Sequence, residues 1–410
     1  MSITSITAST AGTLAFLLLG SIAAAQPAGA PSASVAPHKT LELKPAGYLQ
    51  VDGRRFLNGS EAHEITVRRL RFDLSGSASP RFKFRTLIDF AGSKVVVKNA
   101  WVEYDLKPEL GFRVGKDKSQ FGLERLQAAT QLTFIERAFP TSLSPDRDIG
   151  LWARGDLLGA VVHYSVGAMD GVADNAVLEG ETDNNLEYNL HVLVSPFARH
   201  KELGDLAIGG ATTFGRTVGT PAFTGLTNIK SPGQLTIVKY TADATAATAV
   251  TNGNRTRFTA HGYYYGGPVG VLAEYVVDRE PVTLGGSEQL YTNQAWQLAT
   301  SLAITPGDHP TYQSLKPKHV LDPSKGAYGA VEVAVRYSEL RIDKDGIARG
   351  ITTATSSTQR ARELTLGVNW YWTETFKLQV DYSFTTFNGG AATGDRESEQ
   401  LIATRVQASI

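Results

Sequence analysis

Between Glu64 and Phe90 the chain alternates polar and apolar residues with a period of two. Arg69, Arg71, Asp73 and Ser75 fall on one side, and Leu70, Phe72 and Leu74 on the other. After a turn at Ser77-Ala78-Ser79-Pro80 the pattern resumes, with Arg81, Lys83, Arg85 and Asp89 opposed to Phe82, Phe84, Ile88 and Phe90. Such alternation predicts a hairpin of two β-strands, each strand facing two different environments. In a soluble sandwich the apolar face would meet a second sheet. In a membrane barrel it would meet lipid, and the basic face would line the lumen.

The same period recurs along the chain. It predicts strands over Leu43–Asp52, Val97–Asp105 and Phe112–Gly115, then Arg257–Tyr265, Gly270–Asp278, Trp296–Ile304 and Tyr328–Leu340. Glu363–Trp372, Phe376–Phe384 and Leu401–Ile410 complete the series. Short Gly/Pro/Asp/Ser turns between neighbours alternate with longer polar stretches, the rhythm of an outer-membrane barrel. The segment Lys116–Ile149 breaks the alternation, and loops of that length in a compact domain are usually functional. Thr241–Asn254 is of low complexity and reads as an exposed loop. Aromatic runs at strand ends, such as Tyr263-Tyr264-Tyr265, Trp370-Tyr371-Trp372 and Tyr382 to Phe387, fit interfacial girdles or simple β-propensity. Strands of ~10 residues with connections of roughly a dozen give about 16 strands after Leu43. A barrel of that size encloses an aqueous channel. The expected fold is all-β, a transmembrane antiparallel barrel of a porin.

Composition narrows the alternatives. There is no cysteine, so disulfides and thiolate chemistry are excluded. Past the N-terminus no apolar run is long enough for a helical membrane span, and the mean hydropathy is −0.14. A barrel escapes that test because its apolar residues alternate with polar ones. Thr13–Ile22 followed by Ala23-Ala24-Ala25 reads as an export signal, although no Lys or Arg precedes the apolar core. The expected organisation is a signal peptide over 1–25, a lead-in over 26–42 and the barrel over 43–410.

Zero net charge conceals an asymmetry. Arg54 to Arg125 holds fifteen basic and nine acidic residues, so a segment of +6 is balanced by −6 elsewhere. A positive wall points to an anionic permeant. The candidate anion pathway comprises Arg54, Arg68, Arg69, Arg71, Arg81, Lys83, Arg85, Arg113, Arg125 and Arg137. Arg68 has the opposite phase from Arg69, which places one of them at a rim, a bulge or an interface.

Several stretches carry a family likeness: Gly47-Tyr48-Leu49-Gln50-Val51-Asp52, Arg68-Arg69-Leu70-Arg71, Val97-Lys98-Asn99-Ala100-Trp101-Val102, Phe112-Arg113-Val114-Gly115-Lys116 and Phe121-Gly122-Leu123-Glu124. Phe134-Ile135-Glu136-Arg137, Arg147-Asp148-Ile149-Gly150 and the run Gly329 to Ser338 continue it. The chain resembles the phosphate-selective porins O and P. The resemblance implies a 16-stranded barrel, usually trimeric, with a long loop folded into the lumen and basic residues that hand an anion to a constriction. Arg68, Arg69, Lys83, Arg125 and Arg137 match those basic residues, and Arg54 or Arg55 matches more loosely. Three positions depart from the pattern. Ala128 and Ala129 stand where loop serines are expected, Asn99 stands for an aspartate, and the chain ends in Ile410 rather than an aromatic.

The histidines show no metal-ligand spacing, and Asp146-Arg147-Asp148 reads as a local ion pair, with barrel-bound Ca²⁺ left open. No phosphate-loop motif and no Ser/His/Asp spacing occurs, so neither cofactor nor metal is expected. The expected function is passive diffusion of small anions such as phosphate or polyphosphate across a Gram-negative outer membrane, without enzymatic turnover. The expected partners are small phosphate-like anions, outer-membrane lipid, two further copies in a homotrimer and the barrel-assembly machinery, but no nucleic acid. The alternatives are a weakly selective porin, a barrel enzyme with catalytic groups at its rim, and a soluble β-sandwich enzyme or lectin.

Overall fold

The computed structural model describes residues 41–59, 63–171, 183–242 and 247–410. The expected signal peptide and the lead-in as far as residue 40 lie outside the described residues. The first half of the wall comprises β1 (Glu42–Phe56), β2 (Glu64–Ser79), β3 (Phe82–Asp89), β4 (Val96–Lys107), β5 (Leu110–Lys118), β6 (Arg147–Leu157), β7 (Val162–Met169), β8 (Glu187–Val194) and β9 (Asp205–Val218). Two short strands, β10 (Ile229–Lys230) and β11 (Thr236–Val238), pair with each other and pack against the inner side of the wall. The wall resumes with β12 (Val250–Gly266), β13 (Val269–Leu284), β14 (Ser287–Ala303), β15 (Ala330–Arg341), β16 (Thr358–Tyr371), β17 (Phe376–Gly389) and β18 (Glu399–Ser409). Apart from β10 and β11, these are 16 antiparallel strands that close into one barrel. The seam is β1 against β18, from Tyr48↔Ser409 to Phe56↔Leu401.

Alternation sets the two surfaces. Leu70 and Phe72 on β2, Val102 and Tyr104 on β4, and Phe112 and Val114 on β5 are exposed on the outside. Their neighbours Arg69, Asn99, Glu103 and Asp117 are buried on the inside. With lipid outside, every backbone group must be paired within the wall, and closure meets that demand. Connections at one end are mostly short, such as 80–81, 108–109 and 267–268, with 304–329 the long exception, and the chain ends there. Connections at the other end include 119–146, 219–249 and 342–357. Long outer loops and short periplasmic turns orient the barrel accordingly.

Several boundaries move relative to the sequence pattern. Alternation in β5 and β6 persists to Lys118 and from Arg147, because Lys118 pairs with Arg147 across the ladder, so the interrupting loop is 119–146. Residues from Val250 onward belong to β12 and not to a loop, and Ala249 and Thr251 are buried. The low-complexity composition there masks a strand whose small side chains pack inward. The aromatic runs divide between both faces. Tyr265, Tyr371 and Phe387 are buried inside, whereas Trp370 on the outward phase meets Trp372 edge to face with ring centroids 5.1 Å apart.

The loop 119–146 folds into the lumen with two helical turns, α1 (Leu123–Leu126) and α2 (Phe139–Ser142). Its backbone is held mostly by side chains from one side of the wall, with Lys118 of β5 and Asn189 of β8 holding it from the other. Arg405 donates to the Ile135 carbonyl at 2.8 Å, and the Ile135 N–H donates to Asp381 at 2.7 Å. Arg336 donates to the Glu136 carbonyl at 2.9 Å, Gln50 to Ala129 at 3.0 Å, and Lys377 to Leu132 at 3.1 Å. From below, the Tyr312 hydroxyl donates to the Leu123 carbonyl at 2.6 Å, and its ring stacks on Tyr263 at 4.6 Å. Above, Ile229, Ile237 and Val238 join Phe139, Tyr291 and Leu340 in an apolar cluster. The filled half of the barrel therefore lies against β12–β18 and β1, and the open half against β2–β8.

Arg405 and Asp52 are both fully buried, paired at 2.7 Å through both guanidinium nitrogens that face the carboxylate, and lie opposite each other in the closing register. Removing one partner of such a pair leaves an uncompensated buried charge. Asp52→Ala is expected to destabilise the barrel by about 3–5 kcal/mol. Heat-modifiable gel mobility against denaturant would show an earlier midpoint; an unchanged midpoint would remove the pair from the account of closure.

Candidate functional site

The open half of the lumen is a cavity of about 1510 Å³ between the loop and strands β2–β8. Fifteen Arg and Lys residues line it against seven Asp and Glu, so its potential is set by cations. Of the residues expected from sequence, Arg68, Arg69, Arg71, Arg81, Lys83, Arg85, Arg113, Arg125 and Arg137 all line this cavity. Arg54 does not. It is buried beside the wall, 3.7 Å from Asp52, 3.1 Å from Glu64 and 3.2 Å from Glu136, so its charge is spent within a structural network. Its place on the inner face is correct, but the loop covers it.

Many wall cations are neutralised locally. Lys83 meets Asp105 at 2.5 Å, Arg85 meets Asp73 at 2.6 Å, and Arg71 meets Asp89 at 2.7 Å. Arg113 is held by Glu103 at 2.7 Å and by Asp117, with its guanidinium 3.8 Å from the Trp101 ring centre. These pairs stiffen the wall and leave it weakly positive.

The constriction differs. Arg69 makes one hydrogen bond, to the Gln50 side chain at 2.8 Å, and Gln50 in turn holds Ala129 of the loop. Lys118 and Arg137 converge on the Gln127 carbonyl, at 2.7 and 2.9 Å. Among the described residues, none of these three has a carboxylate within ion-pair distance. Burial first, and then Arg125, push the Arg137 guanidinium down to about 10, which leaves it charged at neutral pH.

Two carboxylates temper the cluster. Glu136 contacts Arg68 at 3.0 Å as well as Arg54. Burial opposes its ionisation, but Arg68, Arg69 and Arg405 outweigh that and hold it well below the usual carboxylate range. Asp146 lies 3.2 Å from both Arg125 and Arg147. It is likewise held low, with burial overcome by Arg125, Arg147 and Lys98. The expected ion pair within Asp146-Arg147-Asp148 is thus formed by Asp146, while Asp148 accepts the Ile149 and Gly171 N–H groups.

Lys98, Lys118 and Arg147 also line the cavity and were absent from the sequence-based set. The register explains Lys98. On β4, Asn99 pairs with Leu87 and Val97 with Ile88, so Lys98 is an unpaired extra residue. Arg68 is its counterpart on β2, where Arg69 pairs with Gln50 and Val67 with Val51. Each bulge turns a second consecutive side chain into the lumen. Adjacent polar residues that break a period of two, as at Arg68-Arg69 and Lys98-Asn99, were the available signal.

A family profile for phosphate-selective porins O and P matches residues 45–410. The chain belongs to the phosphate-selective porin O and P family. Porin O of Pseudomonas aeruginosa is 23% identical over 380 residues, covering 84% of this chain and 83% of the relative. Similar solved structures include the outer membrane channel DcaP of Acinetobacter baumannii, with TM-score 0.59 and 12% identity over 90% of this chain and 97% of that one. The anion-selective porin from Comamonas acidovorans has TM-score 0.53 and 11% identity, covering 90% of this chain and all of that one. This chain is accordingly an anion porin, a channel of a Gram-negative outer membrane.

In this porin Glu136 subtracts one charge from the constriction. Glu136→Gln is expected to raise the chloride-over-potassium permeability ratio by a factor of about two to five, the range one unit charge commands at short distance in water. Reversal potentials under a salt gradient would report the rise; no change would mean that the carboxylate is screened from the ion path.

Proposed function

We propose that this porin conducts phosphate or polyphosphate, and that Arg69, Lys118 and Arg137 form the transient site that selects it. The observation that carries the reading is that, among the described residues, these three cations have no carboxylate within ion-pair distance where the wall meets the loop. Guanidinium groups offer forked donors matched to phosphate oxygens, and the lysine adds a compact charge. The paired cations Arg71, Lys83, Arg85 and Arg113 form the approach, where an anion is attracted without being trapped. A permeation site must bind well enough to recruit its ion and weakly enough to release it. The family assignment supports phosphate as cargo, and Ala128 and Ala129 on the cavity wall weaken the site by supplying no hydroxyl donors. The solved trimer of OmpT from Vibrio cholerae, which shares this fold, supports a homotrimer as the working assembly.

Single-channel recording in planar bilayers tests the reading. Chloride current through the wild-type channel is expected to be blocked by phosphate. Arg69→Gln combined with Lys118→Gln is expected to weaken that block by roughly tenfold or more, with two charge-assisted contacts removed. Block that persists in a conducting double variant would move the site elsewhere. Ala128→Ser is expected to strengthen block by about fivefold through one added hydrogen bond of ~1 kcal/mol; unaltered block would exclude residue 128 from the anion's contacts.

A further inference from the structure

Arginines also gather outside the barrel, where the lumen has no use for them. On the outward face of β15 and β16, Glu339 accepts from Arg341 at 2.5 Å, from Arg360 at 2.5 Å and from Arg362 at 3.3 Å. The carboxylate is 3% exposed, whereas the three arginine side chains are 58%, 32% and 40% exposed. One buried acid thus fixes three guanidinium groups and neutralises only one, leaving a preorganised charge of +2 that faces away from the channel.

The depth of the cluster is legible from the register. Glu339 stands opposite Trp296 and Arg362, and Arg341 opposite Gln294 and Arg360. Trp296 packs on Tyr337 with centroids 5.3 Å apart, and the Tyr275 hydroxyl donates to Gln294 at 3.1 Å. Further toward the short-turn end, Leu298, Val335, Leu364 and Leu366 are exposed on the same face. The order along the wall is aliphatic, aromatic, then arginine, rising toward the long-loop end. That order matches acyl chains, the interfacial belt and the headgroup level of the outer leaflet.

We infer that this patch binds the phosphate-bearing headgroup of an outer-leaflet glycolipid, with Arg341, Arg360 and Arg362 on the phosphate and the aliphatic face below against its acyl chains. The inference rests on the outer-membrane placement of the barrel and not on the phosphate reading of the lumen. Forked donors suit phosphate oxygens, and basic residues at a membrane surface each add to the attraction for anionic lipid.

The test is binding of bisphosphorylated lipid A to the purified porin in detergent, followed by native mass spectrometry, beside the dephosphorylated form of the same lipid. The wild type is expected to retain the phosphorylated lipid selectively. The combined variant Arg341→Gln, Arg360→Gln, Arg362→Gln is expected to lose affinity by roughly tenfold or more. Heat-modifiable mobility and unchanged single-channel conductance, which the outward residues do not touch, would certify its fold. Glu339→Gln keeps all three arginines and removes the neutralising charge, so its lipid retention is expected to rise. Equal retention of both lipids, or by the wild type and the triple variant, would overturn the inference. So would full competition by millimolar inorganic phosphate, which would assign the patch to a solute. Loss of oligomer with lipid binding intact would make it a contact between copies and overturn it as well.

Discussion

A lumen this wide is useful only if something narrows it reproducibly, and the narrowing element carries its own unsatisfied backbone. The 119–146 loop meets that constraint by donating and accepting through its main chain, chiefly to fixed side chains of one wall. Arg405, Arg336, Lys377 and Gln50 serve its carbonyls, and Asp381 serves an N–H. The neutral Gln50 bond contributes about 1 kcal/mol net and the charge-assisted ones about 1.5–3 kcal/mol each, and a buried group left unpaired would be costly. The loop backbone is therefore turned toward β12–β18 and β1. Arg125 and Arg137 are left to face the opposite wall across the cavity.

The division of labour between the two sides follows from charge. On the packed side, acids and cations meet under the loop, as in Arg336 between Glu363 at 2.8 Å and Glu124 at 3.3 Å, and their fields largely cancel. On the open side, much of the lower wall is laced with ion pairs, while Arg69, Lys118 and Arg137 meet at the loop without a carboxylate at ion-pair distance among the described residues. An anion thus enters a mild positive field and meets a strong one briefly. The two bulges raise the local density of cations, since the unpaired residue adds a side chain to the lumen and the ladder resumes beyond it shifted by one residue.

The outside of the barrel obeys a different solvent. There the same residue type, arginine, is gathered around one acid at the level of the headgroups instead of the permeating ion. Position along and across the wall, and not residue identity, separates the two uses.

A period of two over many segments, long and short connections in alternation, and a charge surplus confined to 54–125 were legible in the chain. They determined a large barrel with a basic inner wall, because alternation is imposed by lipid on one face and water on the other whatever the neighbours are. Arg69, Arg71, Lys83, Arg85 and Arg113 line the cavity for that reason, whereas Arg68 enters at a bulge and Arg125 and Arg137 arrive on the loop. Three things were decided only by the tertiary structure. Arg54 is covered by a loop whose direction no local pattern encodes. Lys98 faces inward only because its strand slips by one residue against β3. The contrast between paired cations such as Lys83 and the unpaired Arg69, Lys118 and Arg137 depends on which carboxylates closure brings near. Periodicity is a property of each strand and its solvent, so the sequence shows it. Pairing of charges is a property of register and closure among distant strands, so only the folded barrel settles it.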